Sequence, residues 1–350
     1  MFEDLLRGWD GEEVALRYHA PTETWMFICV QSTVLGPAAG GTRLKVYPGP
    51  DDALRDGLRL AAAMTSKNAI AGLPLGGGKA VLAVPELPSG EARRALLLRY
   101  ADLLESLHGT YRTACDMNTA PADMDVIAER CSFVFGRTEA NGGSGTSAPA
   151  TADGVFAGIR ASAAHAFGSE DLEGRTVVIQ GVGAVGAVLA RRLKDAGARL
   201  VLADVDEVRA KELAAEVGAN VVGTDEALEI ECDVFSPCAI GGVFSAETIP
   251  RLRCAIVAGA ANNQLSDPED AERLAERGIL YAPDYVVNAG GIIHLAALEM
   301  LGEDLARRDE RIAGIAGTLT EVYRLADAEG VSTEQAAEQM VQTRLEEGRR

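Results

Sequence analysis

The chain has 350 residues, which is enough for about two domains at roughly 100–200 residues each. Its 47% hydrophobic and 24% charged residues are typical of a globular protein and exclude a disordered chain. With 33 Lys and Arg against 52 Asp and Glu, the net charge of −19 argues against nucleic acid or an anionic membrane as a partner.

Targeting and metal signals are absent from the sequence pattern. The first residues, MFEDLLR, lack the basic stretch and apolar core of a signal peptide, and no apolar run approaches the ~18 residues of a membrane span. The six cysteines form no C-x-x-C pair and the four histidines are scattered, so we expect no metal site and no disulfide framework. Reduced thiols predict a cytoplasmic protein.

Short strands and helices alternate in the first part of the chain. β-branched and aromatic residues predict a strand over Thr24–Val34, and an apolar run predicts another over Ala80–Val84. Helical spacing of apolar residues predicts helices over Pro50–Met64 and Gly90–His108. The small and polar segment Asn141–Ala150 then predicts a joint between domains.

The second part reads as repeated strand–helix units, which predict a parallel sheet. A helix over Thr151–Phe167 leads into it. The predicted strands are Thr176–Gln180, Arg199–Asp204, Asp233–Ser236, Cys254–Ala258 and Ile279–Tyr281, and the predicted helices are Ala187–Ala196 and Arg209–Val217. The charged, amphipathic tail from Asp304 predicts further helices, with Ser332 and Thr333 as a cap.

A dinucleotide-binding fingerprint, Gly181–Gly186 (GVGAVG), directly follows one predicted strand and opens a helix. Its glycines permit a tight turn, backbone approach to a pyrophosphate and close helix–strand packing. Asp204 ends the next strand, where a carboxylate binds ribose hydroxyls and repels a 2′-phosphate, so NAD is predicted over NADP. Arg209 leaves NADP possible. The alternative is an ordinary glycine turn in an unrelated α/β sheet.

Two lysines, Lys67 and Lys79, lie in a small, apolar segment that includes three successive glycines, Gly76–Gly78. The segment lacks the pattern of a P-loop. Glycines allow close backbone approach and strained dihedral angles at a ligand. Burial of one ammonium and the positive charge of the other would lower a lysine pKa toward base chemistry near neutrality. The alternative is two exposed lysines beside a glycine turn.

The chain resembles the Glu/Leu/Phe/Val amino-acid dehydrogenases, and among them the phenylalanine enzymes most. The resemblance runs from about Gly36 to Gly302 over these segments: Gly36–Arg43, Met64–Lys79, Asp116–Asp125, Phe133–Arg137, Gly181–Gly186, Cys232–Gly242, Val257–Asn263 and Gly278–His294. It implies an enzyme that oxidatively deaminates an L-amino acid with NAD, reversibly, to a 2-oxo acid and ammonia.

The resemblance also implies roles for individual residues. Lys79 would be the acid/base that activates water, and Lys67 would hold the substrate carboxylate. Asp116 would exchange protons with the amino group and the departing ammonia. The implied substrate contacts further include Gly41, Asn262, Ala39, Met64, Ala114 and Ile292. The implied cofactor contacts are Gly181, Val182, Gly183, Ala184, Val185, Gly186, Asp204, Val205, Arg43, Ser147, Thr151, Cys238, Ala239, Ala261 and Asn288.

The side-chain pocket is predicted from two positions. Glutamate-specific relatives have a lysine where this chain has Ala39, so a buried γ-carboxylate would lack its partner and glutamate should be a poor substrate. The small Ala39 leaves room for a ring, which favours phenylalanine, with leucine or other branched-chain amino acids as the alternative. Cys115 departs from the residues expected there in both enzymes, and a nucleophilic role for it is not expected.

The sequence therefore predicts an α/β protein of two domains with a cleft between them, acting as a homo-oligomer. Residues 1–136, with C-terminal helices 312–350 packed back on them, would form the substrate-binding and assembly domain. Residues 137–311 would form a Rossmann-type NAD-binding domain. Two rival functions remain, a hydroxy-acid dehydrogenase and an NAD-binding regulatory protein without activity. Lys67, Lys79 and Asp116 argue against the regulatory protein, and the lack of a His–Asp pair argues against the hydroxy-acid enzyme.

Overall fold

A computed structural model describes residues 2–350, which divide into two compact units. The first unit comprises residues 2–146, 298–302 and 343–350, and the second comprises residues 147–297 and 303–342. The first division therefore falls after Thr146, within the predicted joint, rather than after residue 136. None of the described helices is long and apolar enough to cross a membrane.

The first unit is an α/β structure built on one five-stranded sheet. Its strands are β1 (Glu13–His19), β2 (Thr24–Ser32), β3 (Ala38–Val46), β4 (Gly76–Val84) and β5 (Tyr111–Cys115). Its helices are α1 (Phe2–Arg7), α2 (Pro50–Ile70), α3 (Gly90–Glu105) and α4 (Pro121–Ala128). The strand order is β1-β2-β4-β3-β5, with β3, β4 and β5 parallel and β1 and β2 antiparallel to their neighbours.

The two faces of this sheet carry separate cores. Side chains of α3 and α4 pack on one face, around Tyr100, Leu104 and Met124. The helix α2 covers the other face, where Leu54 and Leu58 pack against the sheet. All nine residues of β4 are buried because it is a central strand that is covered on both faces.

The glycines Gly76–Gly78 lie in β4 and not in a turn, and none of them has a positive φ. The expectation of strained dihedral angles was therefore wrong. A Cβ on Gly76 would come within 1.9 Å of the Ser32 carbonyl oxygen, and one on Gly77 within 2.1 Å of Thr65 Oγ1. Glycine is needed there because a neighbouring strand and the helix α2 approach the β4 backbone closely.

The second unit alternates strands and helices. Its strands are β6 (Thr176–Gln180), β7 (Arg199–Ala203), β8 (Asn220–Val221), β9 (Cys232–Pro237), β10 (Cys254–Val257) and β11 (Leu280–Tyr281). The helices are α5 (Ala148–Phe167), α6 (Ala184–Asp195), α7 (Glu207–Val217), α8 (Asp270–Glu276), α9 (Asp284–Val287), α10 (Gly290–Leu295), α11 (Leu305–Glu329) and α12 (Thr333–Gly348). The sheet is parallel in the order β11-β10-β9-β6-β7-β8, which is the Rossmann arrangement.

The C-terminal helices differ from the prediction. The helix α11 belongs to the second unit, where Tyr323 donates or accepts a 2.7 Å hydrogen bond with Ser162 of α5. Only residues 343–350, the last part of α12, belong to the first unit. The prediction that helices 312–350 pack on the first domain was therefore wrong for most of their length, because the apolar face of α11 is buried against α5.

Candidate active site and dinucleotide site

Three neighbouring strands of the first unit bring predicted site residues into one row. Gly41 of β3 lies directly opposite Ala114 of β5, and the constant register of β3 with β4 places Gly41 beside Lys79. A Cβ on Gly41 would come within 2.7 Å of the Asp116 Cβ. The lysine and the aspartate can therefore approach each other only because glycine occupies position 41.

Lys79 and Asp116 form a largely buried ion pair, with 3.2 Å between Nζ and Oδ2. Burial lowers the pKa of Lys79 and the charge of Arg43 adds to this effect, although Asp116 opposes it. Burial would raise the pKa of Asp116, but Lys79 and Arg43 together lower it to about 2. At neutral pH Asp116 is thus an anion, while Lys79 releases its proton more readily than an exposed lysine does.

Arg43 holds Asp116 in place. Its Nε donates to Asp116 Oδ2 at 2.8 Å, and its Nη1 donates to Asp56 Oδ2 of α2 at 3.0 Å. The Tyr47 hydroxyl donates to the same Asp56 oxygen at 2.6 Å. Arg43 was predicted to contact the cofactor, but the structure places its guanidinium on two carboxylates of the first unit. The positive charge that lowers the pKa of Lys79 is therefore that of Arg43, where Lys67 had been expected.

Sequence reasoning missed Asp56 and Tyr47. Their contacts join the helix α2 to the strand β3 and its end, so no spacing along the chain singles them out. It also missed Asn68, which is fully buried and donates from Nδ2 to the Gly76 carbonyl oxygen at 2.6 Å. Together these three side chains fix α2 against β3 and β4, the strands that carry Arg43 and Lys79.

The predicted substrate residues of the first unit line this same region. Met64 and Lys67 lie about one turn apart on α2, and Lys67 is half-buried in the last turn. The Met64 side chain packs over β3, since a Cβ on Gly40 would come within 3.4 Å of its Cγ. Ala39 is fully buried and Ala114 is 6% exposed, so neither side chain extends far from the sheet.

Cys115 borders the site without taking part in the ion pair. Burial raises the pKa of its thiol to about 12, so the sulfur stays protonated at neutral pH. The thiol is 3.8 Å from the Gly136 carbonyl oxygen, to which it donates. This geometry agrees with the expectation that Cys115 is no nucleophile.

In the second unit, the fingerprint glycines have the three properties that a pyrophosphate site requires. Gly181 has a φ of 100°, and a Cβ there would come within 2.6 Å of the Ala239 Cβ. Gly183 has open space around it, so a ligand can approach its backbone. A Cβ on Gly186 would come within 2.0 Å of the Gly181 carbonyl oxygen. Ala184, Val185 and Gly186 form the first turn of α6, whose free N–H groups favour a phosphate.

Asp204 directly follows β7 and is bound to the glycine loop. Its Oδ2 accepts from the Val182 N–H at 2.7 Å, and its Oδ1 accepts from the Asp206 N–H at 2.9 Å. Each carboxylate oxygen can accept one more hydrogen bond. Val205 beside it is 91% exposed, which leaves this edge open. The arrangement fits a ribose with two free hydroxyls.

The remaining predicted cofactor residues lie at the same carboxyl edge of the parallel sheet or near it, where ligands bind in such folds. The Cys238 N–H donates to the Gln180 carbonyl oxygen at 2.7 Å, and the Ala261 N–H donates to that of Pro237 at 2.9 Å. Asn288 Nδ2 donates to Asn262 Oδ1 at 3.0 Å, while the buried Asn288 Oδ1 accepts no hydrogen bond from the described residues. A buried free acceptor of this kind suits an amide N–H of a ligand.

Ser147 and Thr151 open the helix α5, where Thr151 Oγ1 donates to the Ser147 carbonyl oxygen at 3.1 Å. Both side chains lie against Gly291 at the start of α10. Ile292 follows on α10 and is half-buried, and Asn262 is exposed. Of the predicted substrate residues, these last two belong to the second unit, while the others belong to the first.

Two family profiles match the chain. The family described as "Glu/Leu/Phe/Val dehydrogenase, dimerisation domain" matches residues 23–133. The family described as "Glutamate/Leucine/Phenylalanine/Valine dehydrogenase" matches residues 142–206 and 202–345. The two profiles together account for most of the chain, and they meet near the division between the two units.

Individual proteins are similar over nearly their whole length. Leucine dehydrogenase of Thermoactinomyces intermedius is 40% identical over 343 residues, which cover 98% of this chain and 93% of that one. Valine dehydrogenase of Streptomyces albus is 43% identical over 342 residues, or 97% and 93% of the two chains. The crystal structure of L-tryptophan dehydrogenase from Nostoc punctiforme superposes with a TM-score of 0.84 at 37% identity and covers 99% of each chain.

Proposed function

The chain belongs to the Glu/Leu/Phe/Val dehydrogenase family, and on that premise we propose that it oxidatively deaminates an apolar L-amino acid with NAD. The family assignment makes it an amino-acid dehydrogenase that uses a nicotinamide dinucleotide. The single observation that carries the proposal is the Lys79–Asp116 ion pair, because a regulatory relative without activity would not need a buried acid/base pair.

Each charged group of the first unit suits one part of an amino acid. The Lys67 ammonium would bind the substrate carboxylate. The Asp116 carboxylate, kept ionised by Lys79 and Arg43, would bind the substrate ammonium and exchange protons with the amino group and with the departing ammonia. Lys79, with its lowered pKa, would remove a proton from the water that attacks the imine carbon.

The second unit would hold the cofactor. The glycine loop and the N-terminus of α6 would bind the pyrophosphate, and Asp204 the adenine ribose. Asn288 Oδ1 would accept from an amide N–H of the dinucleotide. When bound, NAD accepts the hydride that leaves the substrate Cα. The negative charge of Asp204 supports NAD over NADP, since a 2′-phosphate there would be repelled.

The side chain of the substrate is proposed to be aliphatic and branched. The similar proteins are named for leucine, valine and tryptophan, and leucine was the alternative drawn from the sequence. The phenylalanine preference stays a prediction that rests on the small Ala39. One observation argues against this preference. Arg112 lies directly opposite Ala39 in the sheet, and its guanidinium stacks on Phe133 and Phe135. Arg112 therefore competes for the room beside Ala39.

The test is the rate of NADH formation with leucine, valine, phenylalanine and glutamate, compared as kcat/KM. We expect leucine or valine first and glutamate last. Phenylalanine in first place would support the Ala39 argument instead, and glutamate in first place would contradict both. The variant Ala39→Leu should reduce activity toward phenylalanine more than toward valine, while Ala92→Leu, at an exposed position of α3, serves as a control for added bulk.

We also propose a cytoplasmic homo-oligomer. The profile that matches residues 23–133 is described as a dimerisation domain, and the thiols are all free. Light scattering on the purified chain measures its mass in solution directly. A monomer at micromolar concentration would contradict this part of the proposal without affecting the proposed reaction.

A further inference from the structure

Two cysteines far apart in the sequence meet in the second unit. Cys232 is the first residue of β9 and Cys254 the first residue of β10, and the two are directly opposite each other in the parallel pair. Both thiols are free. The pair could not be predicted from a sequence motif, because the two cysteines are brought together only by the register of β9 and β10.

The surroundings leave this dithiol within reach of small molecules. Neither cysteine is fully buried, whereas Cys29 and Cys131 are 0% and 3% exposed. Both side chains pack at the margin of the core formed by Phe235, Phe244 and their neighbours. The two thiols are thus held side by side by packing while a reagent can still approach them.

The spacing suits a covalent bond between the sulfurs. Neighbouring strands lie about 4.8 Å apart, and the Cα atoms of disulfides are roughly 4.4–6.8 Å apart. Because both cysteines begin their strands, a small twist that brings the Cβ atoms closer disturbs only the end of the ladder. The neighbouring Cys254 and burial raise the pKa of Cys232.

We propose that Cys232 and Cys254 form an oxidation-sensitive dithiol that closes reversibly to an intrachain disulfide. With diamide as oxidant, one sulfur of the pair adds to the azo bond, and the other then attacks that sulfur and displaces the hydrazine. Two S–H bonds are broken and one S–S bond is formed. The two electrons and two protons reduce the azo group to a hydrazine, so the reaction balances.

The site is separate from the proposed reaction. The cofactor-edge residues Cys238 and Ala261 follow the carboxyl ends of β9 and β10, while the dithiol lies at the amino ends. Closure would therefore link two strands of the sheet without touching the glycine loop or Asp204. The dithiol is a property of the fold, and its test does not depend on activity.

The experiment oxidises the intact protein with diamide, removes the reagent, unfolds the chain and alkylates the remaining thiols. The reduced protein should take six labels, one for each cysteine, and the oxidised protein four, with a chain mass lower by two hydrogens before alkylation. Treatment with dithiothreitol should restore six. Trypsin should release a cross-linked pair of peptides, residues 212–251 joined to residues 254–273.

Matched variants identify the sulfurs, because the first peptide also contains Cys238. The cross-link should persist in Cys238→Ser and be lost in both Cys232→Ser and Cys254→Ser. Six labels after oxidation, a cross-link that survives in Cys232→Ser, or a disulfide-linked dimer of chains in place of the intrachain product would each overturn the proposal. Loss of the cross-link in Cys238→Ser alone would assign the bond to a different pair and overturn it as well.

Discussion

The carboxylate of Asp116 accepts from Arg43 at 2.8 Å and lies 3.2 Å from the Lys79 ammonium, through the same oxygen, Oδ2. One anionic oxygen thus faces two cations, and the two cations repel each other across it. The two cations lower the pKa of Asp116 to about 2 against the effect of its burial. The pKa of Lys79 is lowered by its burial first and by the charge of Arg43 second. Such opposed environments are typical of catalytic groups.

Replacing Lys79 should remove the proposed acid/base. We expect Lys79→Ala to lower kcat at least ~10²-fold, the usual contribution of a positioned proton-transfer group. NAD binding, measured by calorimetry, should stay near that of the unchanged protein, because the dinucleotide residues belong to the other unit. The exposed Lys211→Ala is the matched control, and wild-type turnover in the Lys79 variant would contradict the assignment.

Removing the charge of Arg43 should move the pH dependence of kcat/KM to higher pH. Arg43 lowers the pKa of both Asp116 and Lys79, so Arg43→Gln should raise both values. The pH below which activity is lost because Asp116 is protonated should therefore rise. The pH above which Lys79 is neutral should rise as well.

The variant Arg43→Gln should also lower kcat on the order of tenfold, as expected when one hydrogen bond between charged groups is weakened. Arg59→Gln provides the control, since Arg59 also binds Asp56 but is half exposed and does not contact Asp116. A profile of unchanged position in Arg43→Gln, with only lower amplitude, would show that Arg43 has a structural role alone.

Neutralising Asp204 should weaken the discrimination between NAD and NADP. Asp204→Asn is preferable to alanine, because the amide oxygen can still accept from the Val182 N–H and keep the glycine loop in place. We expect the ratio of the two kcat/KM values to narrow on the order of tenfold, equivalent to about 1.4 kcal/mol. The ratio is measured at one low salt concentration, and an equal preference in the unchanged protein would contradict the role of Asp204.

The substitution Gly77→Ala should destabilise the protein, because the added methyl group would push α2 away from β4. Its Cβ would come within 2.2 Å of the Thr65 backbone nitrogen, so backbone must move. Overpacking of this kind costs roughly 1–3 kcal/mol of the free energy of unfolding. The control is Gly314→Ala on α11, where no atom lies within 4 Å and the added helix propensity should stabilise the protein slightly. Chemical denaturation followed by circular dichroism measures both, and equal midpoints would contradict the packing argument.

The second unit could be predicted from its sequence because strand, glycine turn and helix succeed each other with clear periodicity. The strand Thr176–Gln180 was predicted with the bounds that the structure shows, and the fingerprint lies where it was expected. The fold class and the family were both confirmed. The packing of α11 was not predicted, since its amphipathic face could have packed on either unit.

The first unit was harder to predict for a physical reason. The strands β3 and β4 begin with alanines and glycines, which lack the β-branched side chains that mark a strand. The predicted strand Ala80–Val84 therefore missed the start of β4, and no strand was predicted over β3. Lys67, Lys79 and Asp116 were singled out in the sequence and stay predicted site residues, but the strand register that brings Gly41, Lys79 and Ala114 together was not predicted. The contacts of Arg43 with Asp56 and Asp116 were not predicted, because these carboxylates come from a helix and from the loop after β5.

The first unit also includes residues 343–350 at the end of the described chain. The backbone at Gly348 lies so close to Leu35 and Val34 that a Cβ there would approach their side chains within 2.6 and 3.0 Å. Domains usually fold as they leave the ribosome, the N-terminal one first. Here the first unit cannot complete its packing until the second has been synthesised, so a chain that ends before residue 343 would lack the last contacts of its N-terminal unit.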